Sequence, residues 1–160
     1  MRLVILMLLT IVAGCSGEGA PAIKIELEKD TPMSNKEAAE AFMLSNAAKP
    51  NVIQTESGLQ YTVLESGTGS TPKPSDTVAA HYAGRLLDGT EFDSSYSRGE
   101  PLIIPVGGVI KGWTEALLIM KEGDKWTLFV PPELGYGERG VGPIPANGTL
   151  IFDIELVEVK

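Results

Sequence analysis

The apolar positions divide most of the chain into short strands interrupted by one helix. From Leu59 to Glu65, the residues Leu59, Tyr61 and Val63 alternate with Gln60, Thr62 and Leu64, the period of a strand with one buried face. Gly67 to Ser75 is rich in Gly, Pro, Ser and Thr and reads as a loop. Thr77 to Leu87 forms a second strand, Asp88-Gly89 a turn and Thr90 to Asp93 a third short strand. Leu102 to Ile104, Lys125 to Val130 and Thr149 to Val159 complete the set, the last alternating throughout. After Pro105 and the Gly107-Gly108 pair, Trp113, Ala116, Leu117 and Met120 recur at helical spacing. This predicts one short helix with a single apolar face, ending at Gly123 as a left-handed cap. A lone amphipathic helix among strands must bury its stripe on their sheet. The expected fold class is therefore α+β, an antiparallel β-sheet wrapped around one short α-helix. Trp113, beside Val109 and Ile110, is positioned either to floor a cavity or simply to fill the core.

Upstream, Ser34-Asn35-Lys36-Glu37 fits a capping box, with Ser34 as N-cap, Glu37 at the third helical position and Met33 able to staple toward Ala38. The helix should run to about Ala48, before Pro50. Its apolar face, Ala38, Ala41 and Phe42 with Ser45 at the edge, is narrow. That suits a helix lying on its own domain better than the other reading, the remnant of a dimerisation arm.

Met1 to Gly14 starts with Arg2, continues through about eleven apolar residues and ends in small ones. The run is too short to span a bilayer, which takes about 20 apolar residues. Val12-Ala13-Gly14 followed by Cys15, the only cysteine of the chain, resembles a bacterial lipobox. In such signals the cysteine becomes the mature N-terminus and its sulfur carries the lipid, since a thiol supplies the nucleophile for the thioether. A further acyl chain makes the anchor stable where one would be marginal. An ordinary secretory signal with a coincidental cysteine is the alternative, and both readings take the chain out of the cytoplasm. Ser16, where an Asp would mark inner-membrane retention, resembles the outer-membrane pattern, facing the periplasm or the cell surface. The expected organisation is a signal over residues 1–14, a tether over 15–33, a short helix over 34–50 and a folded domain over 51–160. As a flexible coil, the tether would have an r.m.s. reach of about 25 Å.

Composition removes several function classes. The 160 residues carry a formal charge of −8 and a pI near 4.7, which argues against nucleic acid or an anionic membrane surface as the main partner. Loss of Arg2 with the signal takes the charge to −9. One cysteine excludes a disulfide framework, and one histidine leaves no pairing for a zinc site or a His-activated nucleophile. His81, inside a strand beside Tyr82, reads as structural. Gly135 to Gly142 precedes no helix and lacks the Lys-Ser/Thr ending of a phosphate loop. Asn147-Gly148-Thr149 matches a glycosylation acceptor but reads as a turn before the last strand. No cofactor or metal is expected. What remains is Tyr82, Phe92-Asp93, Trp113, Tyr136 and Phe152, which would form an apolar pocket with two polar tips if the fold brought them together.

Three runs, VAAHYAGRLLDGTEFDSSYSRGEPL, VGGVIKGWTEAL and PPELGYGERGVGPIPANGTLIFDIELVEV, resemble the FK506-binding-protein family of peptidyl-prolyl cis–trans isomerases. The likeness covers roughly residues 57–160. TESGLQYTVLESGTGSTP, following a helix, is similar to exported bacterial members of the macrophage-infectivity-potentiator type. Those carry a long helical dimerisation arm, and the short helix here leads us to expect a monomer. The resemblance implies a proline pocket of Tyr82, Phe92, Asp93, Val109, Ile110, Trp113, Tyr136 and Phe152, with Arg98 and Ile144 beside it and Leu102 on a rim that is often aromatic. It implies Trp113 as floor, Tyr82, Phe92 and Phe152 as walls, hydrogen bonds from Ile110 N–H and the Tyr136 hydroxyl, and Asp93 against the reacting imide. The implied partners are proline-containing unfolded or exported polypeptides, macrolides such as FK506 or rapamycin, and a membrane through the lipid on Cys15. Two other readings use the same residues: a non-catalytic chaperone or adhesion module, and a structural lipoprotein whose aromatics are only core.

Overall fold

The computed structural model describes residues 32–160. The signal segment, Cys15 and the tether up to residue 31 lie outside the described residues. In chain order the elements are α1 (Asn35–Ala47), β1 (Ile53–Gln54), β2 (Gln60–Glu65), β3 (Thr77–Arg85), β4 (Glu91–Ser94), β5 (Leu102–Pro105), α2 (Lys111–Leu117), β6 (Lys125–Val130) and β7 (Leu150–Val159). All strand pairs are antiparallel, in the order β1-β2-β6-β7-β3-β4. β5 also pairs with β3, along Thr77–Ala80, while β4 takes Ala83–Arg85. This is the expected α+β arrangement.

The break between β4 and β5 falls opposite Tyr82, where Ser95 replaces the missing strand partner. Ser95 N–H donates to Tyr82 O at 2.9 Å, and Tyr82 N–H donates to Ser95 Oγ at 2.8 Å. Both backbone groups of Tyr82 are thereby satisfied on that side without a strand partner.

The core lies between one sheet face and α2. Val78, Ala80 and Tyr82 of β3, Trp126, Leu128 and Val130 of β6, and Leu150, Phe152, Ile154 and Leu156 of β7 meet Trp113, Ala116, Leu117 and Met120. The helical stripe read from the sequence is buried as expected. The helix is shorter than expected: it ends at Leu117, and Gly123 (φ +94) is not its cap but part of a following turn. There the Asp124 carboxylate accepts from Lys121 N–H at 2.7 Å and Gly67 N–H at 2.6 Å, which holds the loop before β3 against the end of the helix segment. Gly112 lets α2 approach β6, since a Cβ there would meet Val130 Cγ1 at 2.7 Å.

The capping box forms as predicted: Glu37 N–H donates to Ser34 Oγ and Ser34 N–H to Glu37 Oε2. The buried face of α1 differs from the expected one. Ala41 and Ser45 are exposed, whereas Ala39 and Asn46 are buried and Ala38, Phe42 and Met43 are half-buried. Polar chemistry explains the shift. Asn46 Nδ2 donates to Gln60 Oε1 at 2.9 Å, and Gln60 Nε2 donates to Met43 O and Gln54 Oε1. Phe42 packs on Phe129, 5.9 Å between ring centroids. Alternation assigned Gln60 to the same side as Leu64, but only Gln60 is buried, because α1 covers that end of the sheet. The two-residue β1 beside it was not anticipated.

Candidate active site

An open cavity of about 400 Å³ lies between α2, the sheet and the segments flanking them. Trp113, 3% exposed, is shared between its floor and the core. The two readings of this residue are not exclusive. Tyr82 meets the indole edge-on at 5.1 Å and 87°, Phe152 does so at 5.3 Å and 82°, and Phe92 stands edge-on to Phe152 at 5.6 Å and 90°. These perpendicular contacts leave ring faces and edges, rather than polar atoms, toward the cavity. The indole N–H has no hydrogen-bond partner among the described residues.

Five of the other lining residues come from β3, β4 and β5. Tyr82 stands on β3, Phe92 and Asp93 on β4, and Leu102 and Ile104 on β5. Val109 and Ile110 precede α2, Tyr136 follows a short turn over Pro132–Leu134, and Phe152 lies on β7. Ile110 caps α2: its carbonyl accepts from Trp113 and Thr114 N–H, while its own N–H makes no backbone hydrogen bond among the described residues. Tyr136 is 38% exposed at the cavity edge.

A polar cluster stands at one wall of the cavity. The Tyr82 hydroxyl donates to Asp93 Oδ2, Arg98 Nη1 donates to Asp93 Oδ1 at 2.6 Å, and Arg98 Nη2 donates to the Tyr82 oxygen at 2.9 Å. The guanidinium also lies over the Tyr82 ring, 5.6 Å from its centroid. Burial raises the Asp93 pKa, but hydrogen bonds from Tyr82 and Arg98, the charge of Arg98 and the Ser94 N–H outweigh it. The carboxyl therefore sits below the ordinary aspartate range. Burial, and then the carboxylate it donates to, push the Tyr82 hydroxyl up. At neutral pH the cluster holds a carboxylate, a neutral phenol and a guanidinium, with Asp93 facing the cavity.

Arg98 and Ile144, expected beside the pocket, stand behind its lining. Arg98 stands behind Asp93, and Ile144, 6% exposed, is absorbed in the core cluster. Ile104 and Gly108 line it and were not singled out. Ile104 was legible as a residue two positions from Leu102 on one strand, hence on the same face. His81 is structural in setting: its Nδ1 is 3.0 Å from Ser95 Oγ and its ring stacks on Tyr96 at 4.8 Å.

The chain is similar to known proteins of one family. A family model described as "FKBP-type peptidyl-prolyl cis-trans isomerase" matches residues 68–157, and one described as "Domain amino terminal to FKBP-type peptidyl-prolyl isomerase" matches residues 22–63. The "FKBP-type peptidyl-prolyl cis-trans isomerase FkpA" of Aeromonas hydrophila is 48% identical over 86% of this chain and 51% of its own length. The "Outer membrane protein MIP" of Legionella longbeachae is 50% identical over 79% of this chain and 54% of its own. The crystal structure of FkpA from Escherichia coli superposes with a TM-score of 0.76 at 49% identity, covering 79% of this chain and 59% of that one. The chain thus spans about half the length of the curated relatives it matches. With the sheet, the aromatic cavity and the sequence matches in agreement, the chain belongs to the FKBP-type peptidyl-prolyl cis–trans isomerase family.

Proposed function

We propose that this protein accelerates the cis–trans isomerisation of X–Pro bonds in exported polypeptides. The observation that carries the reading is an apolar cavity floored by Trp113, with the carboxylate of Asp93 fixed at its wall by Tyr82 and Arg98. Rotation about the imide must break its resonance, against a barrier of about 18–20 kcal/mol. No covalent bond to the enzyme is needed. The planar imide is more dipolar than the twisted one, so a water-poor aromatic cavity disfavours the ground state relative to the transition state. In this mechanism the prolyl ring rests on Trp113 between Tyr82, Phe92 and Phe152. Ile110 N–H and the Tyr136 hydroxyl hold carbonyls of the flanking chain while the imide turns. Asp93 acts through its field on the twisting amide, and no proton has to move. Each tenfold acceleration takes about 1.4 kcal/mol of differential stabilisation, so several weak effects suffice.

The test is a protease-coupled or NMR exchange assay on Ala-Leu-Pro-Phe peptides, with and without FK506 or rapamycin. Macrolide-sensitive acceleration is expected. A folded protein that binds the macrolide without acceleration would replace catalysis with a chaperone or adhesion role for the same cavity.

Location is the second part of the proposal. Export and anchoring in the outer membrane through lipid on Cys15 are supported by the Val12-Ala13-Gly14-Cys15 pattern and by the likeness to the outer membrane protein MIP of Legionella longbeachae. Cys15→Ser should move the protein from the membrane to the soluble fraction and abolish incorporation of labelled palmitate. Unchanged membrane association would remove the anchor.

A further inference from the structure

Gly84 stands at the crossing of the two strands that flank β3 beneath the cavity. It is in register with Asp93 of β4 on one side and with Phe152 of β7 on the other. The positions it continues along the buried face of β3 are Val78, Ala80 and Tyr82, so an apolar side chain would be the ordinary choice there. The rings around it leave no room for one. A Cβ on Gly84 would lie 2.7 Å from Phe92 Cζ, 2.8 Å from Phe92 Cε2 and 2.8 Å from Phe152 Cε1. The two phenyl rings therefore close over the bare backbone of Gly84, edge to face with each other.

The two rings differ in their freedom to yield. Phe152 is 4% exposed and held by Trp113, Tyr82 and Phe92, so it has nowhere to go. Phe92 is only half-buried and borders the open cavity, and the atoms that would collide are the far edge of its ring. Any side chain at position 84 would be relieved by swinging Phe92 into the space the ligand uses.

We propose that Gly84 is a positioning residue: its missing side chain seats Phe92 against Phe152 and so sets the width of the cavity available to a cyclic imide. The inference rests on the isomerase reading and adds to it a residue that touches no substrate. It also separates Gly84 from glycines kept for a left-handed turn, because its φ is not positive.

The test compares the wild-type protein, Gly84→Ala, Phe92→Leu and the double variant. Leucine at 92 lacks the two colliding ring atoms. Measurements are thermal unfolding, binding of Ala-Leu-Pro-Phe followed by NMR titration, and KM and kcat for its isomerisation. Gly84→Ala should unfold cooperatively, bind the peptide about tenfold more weakly and show the loss mainly in KM. Phe92→Leu should weaken binding in the wild-type background and strengthen it in the Gly84→Ala background, a non-additivity that a remote structural defect would not produce. Wild-type-like binding by Gly84→Ala, or losses that simply add, would overturn the proposal while leaving the isomerase reading in place. A Gly84→Ala protein that fails to fold and is not rescued by Phe92→Leu would overturn it as well, since Gly84 would then serve the fold at large; rescue of folding in the double variant would support it, because the collision would then be with Phe92. A wild-type protein that neither binds nor accelerates would remove the isomerase reading and this inference with it.

Discussion

Phe92 and Asp93 are consecutive residues of β4, and both face the same cavity. In a regular strand they would point to opposite faces of the sheet. The ladder with β3 pairs Gly84 with Asp93 and Arg85 with Glu91, so Phe92 is an extra residue without a partner, a β-bulge. The bulge turns one neighbour toward the ligand space beside the other. An apolar wall and a fixed negative charge thereby reach one point through two adjacent positions.

Removing that charge should separate chemistry from folding. Asp93→Ala is expected to lower kcat/KM by about tenfold or more, equivalent to ~1.4 kcal/mol of differential stabilisation. Its side chain is 45% exposed, so losing its bonds to Tyr82 and Arg98 should cost about 0.5–1.5 kcal/mol, comparable to Tyr82→Phe, and leave the protein folded. Full activity in the variant, measured with Ala-Leu-Pro-Phe, would take Asp93 out of the mechanism.

Tyr82→Phe keeps the ring against Trp113 and deletes the hydroxyl that donates to Asp93 and accepts from Arg98. Stability should fall by about 0.5–1.5 kcal/mol, the usual net worth of a hydrogen bond. The Asp93 carboxyl, having lost one donor, should titrate at higher pH than in the wild type. Carbon-detected NMR of that carboxyl reads the shift directly, and an unchanged titration would show that Arg98 alone holds the charge.

The pH dependence follows from the direction of the Asp93 shift. Its folded pKa lies below the ordinary aspartate value, so its contribution is complete above that value and is lost only as pH falls through the depressed one. Activity should therefore show no Asp93-dependent inflection from neutrality down through the ordinary aspartate range. An inflection in or above that range that Asp93→Asn abolishes would contradict this account.

α1 should contribute to stability without touching catalysis. Asn46→Ala leaves the buried Gln60 carbonyl without its donor and Lys49 without its acceptor. A cost of about 1–3 kcal/mol is expected in urea unfolding, with peptide isomerisation unchanged. A loss of activity at full occupancy of the folded state would mean that the helix is coupled to the cavity.

The capping box at Ser34 and Glu37, the strand from Lys125 to Val130 and the buried stripe of Trp113, Ala116, Leu117 and Met120 were legible in the sequence. Each depends on spacing within one element, and local geometry imposes that spacing on any chain that folds this way. The aromatic and acidic residues of the cavity stood out in the sequence as the chemistry left over, but their convergence on one pocket was expected only through resemblance to a family, since no local period connects β3, β4, β7 and α2. Where Phe92 points, why Gln60 is buried and how Ile144 packs into the core were decided by the tertiary structure alone. The sequence carries the period of each strand, but a bulge, a strand register and the end of the sheet that a helix covers depend on contacts between residues far apart in the chain. Those contacts exist only once the sheet has closed around α2.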